Sequence, residues 1–549
     1  MPPIWGALGK STLQDRIGAS VIDRLEHILP GLVKEYDDNL LHTKDGLIKV
    51  FDSFFGASAL LQKDFRADFF NCLPPNVVDK LLAAAKVSSE GLEFPEKISK
   101  LAKKSWEDSE YAERAVKVLG LSNDYLPAPK KPFVSQETLT APLSAYKPLK
   151  EYQYPIHNAS TQRLEVPRSR FIIQMPTGSG KTRTAIEIIC SYLNGSPEDT
   201  MVVWLAHAEE LCEQASDSFM EIWPHVARRD LQLIRCWGSE GKMPAIIKSR
   251  AFIVGGFPKL HALQTKNPQL FQAMKSRVGL IVVDEAHKVI APTYESVTRA
   301  FIGENTGVIG LTATPGRSVS NRDENEELAE FFFRDMLTIP SGDKPVIGYL
   351  RDKGVLAHVE YEPLETHRPF DLSPKEKSYL EKFYDLPPGF LHRLGNDDLR
   401  NVEIIKKIER EAEAKGSILF FACSVDHSKF VCAVLKFIGI TAAHIDGDTP
   451  KTQRAASITA FRMGQIQVLC NYGVLSTGFD APKTDVVFIA RPTQSIVLYS
   501  QMIGRGLRGP AIGGTEACKV IDVVDNIAGF SNQNRVYDYF EEYFDGRKN

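Results

Sequence analysis

The stretch Phe171-Ile172-Ile173-Gln174-Met175-Pro176-Thr177-Gly178-Ser179-Gly180-Lys181-Thr182 constrains this chain more than any other. Its first four residues form a short apolar run that reads as a buried β-strand. Downstream, Ala185, Ile186, Ile189, Tyr192 and Leu193 recur at helical spacing. Strand, glycine-rich loop and helix, in that order, turn successive backbone N–H groups into one concavity at a helix N-terminus, where a phosphate chain can sit. Gly178 and Gly180 permit the bend and the close approach. Lys181 is then placed to reach β- and γ-phosphates, and the Thr182 hydroxyl to hold Mg²⁺. The strict phosphate-loop pattern wants a glycine where Met175 stands, but the shorter Gly-x-Gly-Lys-Thr form is complete. The competing reading is a chance glycine turn, and the flanking strand and helix weigh against it.

The 549 residues suggest three or four domains of roughly 150 residues each. A net charge of −3 gives no global basic field, although a local basic groove would be hidden in that average. The eight cysteines are scattered and form no Cys-x-x-Cys pair, so neither a zinc finger nor a disulfide framework is indicated. A reducing cytoplasm is the expected compartment. The N-terminus lacks a signal-peptide pattern, and no apolar run approaches the ~18 residues of a membrane span.

Residues 1–122 read as a helical domain. Leu13, Ile17, Ile22, Leu25, Ile28 and Leu29 share one helical face, and Pro30-Gly31 is expected to end that helix. Further helices are marked by Phe51, Phe54 and Phe55, by Val77, Leu81 and Ala85, and by Ala112, Ala115, Val116 and Leu119. Lys97, Lys100, Lys103 and Lys104 cluster as a solvated face or, on the sharper reading, a phosphate contact. Residues 123–148 have the proline-rich composition of an extended linker.

From 149 to 320, strand-like runs at 201–205, 251–254, 280–283 and 308–311 alternate with helices, which implies a mostly parallel sheet with its chemistry at the carboxyl ends of the strands. Residues 321–400 read as a crossover. From 401 to 525 the alternation returns, with strands at 418–421, 466–469 and 485–489. This second α/β unit has no phosphate loop of its own. A tail, 526–549, closes the chain and is expected to dock as a helix from Tyr537.

Asp284-Glu285-Ala286-His287 directly follows a buried strand. An aspartate there suits a Mg²⁺ ion, and the glutamate beside it suits the orientation or deprotonation of an attacking water. Far downstream, Gln501-Met502-Ile503-Gly504-Arg505-Gly506-Leu507-Arg508 carries two arginines beside glycines. Guanidinium groups are always charged and bidentate, which suits a phosphoryl transition state.

Together these residues resemble the motor core of a superfamily-2 helicase of the DEAH type. Met175–Thr182 resembles motif I, and Tyr152-Gln153 the adenine-reading glutamine element. Leu205–Leu211 resembles motif Ia, with Ala208 where an arginine is usual. Asp284–His287 resembles motif II and Leu311–Arg317 motif III. Asp446-Gly447-Asp448 and Leu475–Pro482 resemble motifs IVa and V, and Gln501–Arg508 motif VI. The wording is most similar to RadD-type helicases and type III restriction helicase subunits, without the terminal zinc-binding cysteines of the former.

The resemblance implies an α/β fold of two tandem RecA-like domains, with parallel sheets flanked by helices, behind the helical N-terminal domain. It implies ATP, with Mg²⁺ at Thr182 and Asp284, held by Gln153, Pro176, Thr177, Gly178, Ser179, Gly180, Lys181, Thr182 and Asp480. Glu285, Gln501, Arg505 and Arg508 are the implied catalytic set, and Ala206, His207, Gly255, Thr312 and Thr477 the implied nucleic-acid contacts. The implied activity is ATP-driven movement on nucleic acid, DNA ahead of RNA, in repair or restriction-type defence. An RNA helicase and a nucleic-acid-binding subunit are the rival readings. The N-terminal region would be the place for a nuclease or other protein subunit.

Overall fold

The computed structural model describes residues 4–128, 134–138, 145–239, 241–245, 247, 249–314, 322–383, 385–414, 416–474, 483–493 and 495–527. The expected motif V stretch 475–482, with Thr477 and Asp480, lies outside the described residues, as do Pro315–Arg317 of motif III and the tail from 528.

The first 120 residues fold into helices around Trp5, whose ring meets Phe51, Phe65, Phe69 and Tyr125 edge-on at 5.2–6.1 Å. The apolar pattern from Leu13 to Leu29 builds two helices, Lys10–Ile17 and Ala19–Leu32, rather than one. Gly18, at φ 90°, breaks the run. Pro30 lies in the last turn and does not end the helix, because its missing N–H forfeits a single hydrogen bond there. Lys97 pairs with Asp79 at 2.7 Å and Lys104 with Asp108 at 3.2 Å, which favours the solvated-face reading of that cluster.

Two parallel-rich sheets follow. The strands of the first are β1 (Gln136–Thr138), β2 (Arg170–Gln174), β3 (Met201–Ala206), β4 (Gln232–Cys236), β5 (Ala251–Gly256), β6 (Val278–Asp284), β7 (Gly307–Thr312) and β8 (Met336–Thr338). They lie in the order β1-β4-β5-β3-β6-β7-β2-β8. Only β1 runs antiparallel. The linker thus adds a strand to the sheet edge. The second sheet holds β9 (His358–Phe370), β10 (Ile418–Phe421), β11 (Ala442–Ile445), β12 (Val468–Asn471), β13 (Val486–Ile489) and β14 (Ala517–Ile527), all parallel, in the order β11-β12-β10-β13-β14-β9. The central strands are buried on both faces, and this is why they read as continuous apolar runs. The architecture is α/β with two RecA-like lobes behind a helical region.

The stretch expected as a crossover is divided between the sheets: β8 completes the first and β9 the edge of the second. Between them, the helix Val346–Asp352 leads to Leu356, which pairs with Arg508 in an isolated bridge.

The N-terminal helices do not rest on the lobe that follows them in sequence. Helix Ala19–Leu32 packs on helix Asp398–Glu413, and helix Lys44–Phe54 on helix Val425–Phe437, both in the second lobe. One apolar core runs from Trp5 and Phe51 through to Ile405, Phe430 and Val486. Arg24 seals the joint, with its guanidinium 3.8 Å from the Phe430 ring centroid and its Nε donating to Asp398 at 2.9 Å.

Candidate active site between the lobes

The glycine-rich loop leaves the carboxyl end of β2. The Met175 N–H donates to the Thr312 carbonyl at 3.1 Å, and the Ser179 hydroxyl to the Pro176 carbonyl at 2.7 Å. Gly178 and Gly180 sit at φ 86° and 83°, the left-handed region that glycine enters without strain. Gly180 caps the helix Lys181–Gly195, so the open N–H groups of its first turn face the loop. The buried Tyr152 donates its hydroxyl to the Ser179 carbonyl at 2.7 Å from beneath. Gln153 is 3% exposed. Its Oε1 accepts from the Lys150 N–H at 2.7 Å, and its Nε2 donates to the Thr184 hydroxyl at 2.9 Å and the Gly180 carbonyl at 3.2 Å. The glutamine expected to read adenine is therefore engaged in holding the loop.

Asp284 ends β6, one strand away from β7, which itself flanks β2. Glu285 follows at φ 53°, ψ 55°, a strained conformation for a residue with a side chain, and its N–H donates to Asp284 Oδ1 at 3.0 Å. This turn aims Glu285 at the loop, where its carboxylate lies 3.7 Å from the Lys181 ammonium. Burial pushes the Asp284 carboxyl up, with the Glu285 charge adding to it and Lys181 opposing. Burial would also raise Glu285, but Lys181 and then His287 outweigh it and hold this carboxyl low. His287 is drawn down to about 3 and His207 to about 4, chiefly by burial, so both imidazoles are neutral at pH 7. The chain of contacts continues from Glu285 to His287 at 3.4 Å, and from His287 to the Thr312 hydroxyl at 3.2 Å.

The donor set fits a hard cation. Asp284 is a buried carboxylate whose own environment penalises its charge, and the hydroxyl of the half-buried Thr182 follows the loop lysine; these two residues would hold a divalent cation that neutralises phosphate charge. Among the described residues there is no cluster of three or more His, Cys, Asp or Glu side chains that could hold a metal ion.

The second lobe meets this site through Gln501–Arg508. Helix Ile496–Ile503 ends at Gly504, whose backbone lies against the loop so closely that a Cβ there would be 2.4 Å from Thr177 Cγ2. A Cβ on Gly178 would be 3.7 Å from Arg508 Cγ and 3.5 Å from Leu356. Arg505 and Arg508, both half-buried, flank that contact. Gln501 faces a cavity of about 450 Å³ between the lobes, shared with His207, Glu210, Lys288, Gly473 and Leu498. Lys288 lies 2.7 Å from His207 Nε2. The structure thus brings Lys181 to Glu285, with Asp284 beside it, and sets Gly504 and Arg508 against Thr177 and Gly178, while Gln501 lines the adjoining cavity.

Three of the expected nucleic-acid contacts, Ala206, Gly255 and Thr312, are buried. Ala206 and Thr312 are 0% exposed, and Gly255 is buried inside β5 with Leu260 against it. The Thr312 hydroxyl is committed to Thr314 and His287. In this closed arrangement these three residues lie inside the sheet rather than on its surface. Of this set His207 reaches the cleft. Missed altogether were Tyr152 as a prop, Leu356 as a wedge and Lys288 as the partner of His207. A buried tyrosine or leucine carries no motif, and its role comes from what it touches.

Residues 146–317 match the family model described as the res subunit of type III restriction enzymes, and residues 400–509 the helicase conserved C-terminal domain. A protein designated ATP-dependent helicase IRC3 in Saccharomyces cerevisiae is 26% identical over 68% of this chain and 51% of its own length. Its mitochondrial namesake in Schizosaccharomyces pombe is 27% identical over 69% of this chain and 58% of its own. A 51.5 kDa protein of a Lactococcus phage is 25% identical over 68% of this chain and 70% of its own. The chain thus spans little more than half the length of the two yeast relatives. Paired with the two-lobed α/β fold and the motifs at its cleft, these matches place the chain in superfamily 2 of the helicases.

Proposed function

We propose that this chain hydrolyses ATP between its two lobes and uses the cycle to move along DNA, in repair or in restriction-type defence. The observation that carries the reading is the facing of Lys181, Asp284 and Glu285 in one lobe by the Gly504–Arg508 segment of the other, across a contact tight enough to exclude a Cβ.

In this reading the loop amides and Lys181 bind the phosphate chain, and Glu285 orients the attacking water and takes its proton. Lys181 beside it outweighs burial, so Glu285 stays a carboxylate and is available as that base. Thr182 and Asp284 would hold Mg²⁺, which neutralises phosphate charge. Arg505 and Arg508 supply guanidinium groups to the charge that develops during transfer, an effect worth ~10³–10⁵ in rate. Because they belong to the other lobe, the site is complete only when the lobes are together, and opening after hydrolysis moves one lobe against the other. The type III restriction match and the motif wording support DNA, and the free thiols support a reducing cytoplasm. Among the described residues no helix is long and apolar enough to cross a membrane.

The test is phosphate release from Mg-ATP by the full chain with single-stranded DNA, duplex DNA and RNA in parallel. DNA is expected to stimulate most, and Glu285→Gln to abolish turnover while ATP still binds. Turnover equal to wild type in Glu285→Gln or Lys181→Ala overturns the site. Stimulation by RNA alone overturns the substrate.

A further inference from the structure

Away from the glycine-rich loop, the lobes meet a second time through charge. Helix Glu209–Val226 of the first lobe and helix Lys451–Arg462 of the second approach each other with their first turns. Glu209 is ion-paired with Lys451, and Glu210 with Arg454. The Arg454 guanidinium is also fixed from behind, donating to the Asp446 and Gly447 carbonyls at 3.0 and 3.2 Å. Its side chain is 13% exposed and that of Glu210 is 32% exposed, so this pair is only partly open to water.

The charges are placed oddly for the second helix taken alone. Lys451 and Arg454 stand at the positive end of their own helix, where cations are disfavoured and an anion is wanted. The anion comes from the other lobe. Glu209 and Glu210 are favourably placed on their own helix, and they follow Ala208, the position where the resembling motif carries an arginine. Glu210 also lines the inter-lobe cavity with His207 and Lys288. Acids that pair across a cleft with two cations of the opposite wall are what a polyanion displaces.

We propose that Glu209 and Glu210 form an electrostatic latch. In the strand-free protein they occupy Lys451 and Arg454, and the phosphates of a bound nucleic-acid strand take their place. The latch rests on the nucleic-acid reading above and adds to it a built-in competitor. Strand entry breaks two inter-lobe ion pairs, so the relation of the lobes changes with strand occupancy before any ATP is spent.

The experiment uses the full chain without nucleotide and a fluorescein-labelled single-stranded DNA oligonucleotide, with anisotropy read at several salt concentrations. The variants are Glu209→Gln with Glu210→Gln, Lys451→Ala with Arg454→Ala, and all four changes together. Neutralising the acids is expected to tighten DNA binding about three- to tenfold. Removing the cations is expected to weaken it and to lower the slope of log K against log salt by roughly 0.7 for each cation. The gain from the acids must vanish in the fourfold variant, because nothing is left to unmask. Thermal melting confirms that each variant folds. Wild-type binding with no gain in the acid variant overturns the latch alone. A gain that persists in the fourfold variant also overturns it, since that would be a general field effect. No binding of DNA by wild type or variant removes the latch and the nucleic-acid reading together.

Discussion

At the contact between Gly504 and Thr177, the absence of a single side chain lets two lobes touch. A Cβ on Gly504 would meet Thr177 Cγ2 at 2.4 Å and Thr177 Cβ at 2.5 Å, and the latter atom has no rotamer to escape into. Gly504→Ala should therefore hold Arg505 and Arg508 away from the loop by a fraction of a bond length or more. The expected outcome is a fall in kcat for ATP of roughly 10²-fold, with a melting curve close to wild type. Steady-state kinetics beside a thermal melt checks it. Tyr152 acts on the same loop from the other side. Tyr152→Phe leaves the Ser179 carbonyl without its donor in a buried place, which should cost about 1–2 kcal/mol in urea unfolding and raise KM for ATP. Much of this site was legible in the sequence. A phosphate cradle is made by consecutive backbone amides, so its residues are neighbours in the chain, and acids at a strand end are likewise local. Gln153 shows where that logic stops. Its type and place suggest base reading, and only the fold shows that its amide also donates to Thr184, in the first turn of helix Lys181–Gly195.

At the scale of elements, the turn Asp446–Thr449 sets where helix Lys451–Arg462 begins. Asp446 Oδ1 accepts from the Asp448 N–H at 3.0 Å and from both the N–H and the hydroxyl of Thr449 at 2.7 Å. Its Oδ2 faces His444 at 3.1 Å and Lys429 at 3.5 Å. Burial alone would raise this carboxyl, but the hydrogen bonds from Thr449 and His444 outweigh it and hold it below the usual carboxylate range. A depressed carboxyl contributes stability above its unfolded value of about 3.9 and loses it as pH falls through the folded value. Asp446→Asn should thus cost about 1–2 kcal/mol at pH 7, with the gap from wild type closing in acid below about pH 4. Urea unfolding at a series of pH values measures it. Strand β14 shows why some elements escaped the sequence reading. Asp522 and Asp525 interrupt its apolar run, and only the fold supplies their partners. Tyr499 donates to Asp522 at 3.1 Å, and Arg400, wholly buried, grips Asp525 through two bonds of 2.7 and 2.8 Å.

At the scale of the whole molecule, the N-terminal helices are part of the second lobe's core rather than an appended module. Removing residues 1–128 would bare Phe430, Val431, Ile405 and Phe437 to water. The truncated chain is expected to aggregate or to melt well below the intact protein, and any loss of ATPase would then report lost stability. Arg24→Ala tests the joint more gently, because it removes a hydrogen-bonded ion pair and a cation stacked on Phe430. About 1–3 kcal/mol is expected from thermal or urea unfolding. The linker adds β1 to the first sheet while the helices pack on the second lobe, so the N-terminal part of the chain touches both lobes.

By itself the sequence determined the fold class, the order of its units and the residues that build the glycine-rich loop and the acidic strand end. All of these are carried by periodicity and by groups close together along the chain. The tertiary structure alone decided what covers each apolar face, which lobe the helical region joins, and which acid meets which base across the cleft. The physical reason is that burial and charge act through space. A helix pattern names the face that must be hidden but not the surface that hides it. Glu210 and Arg454 lie more than two hundred residues apart until folding sets them side by side.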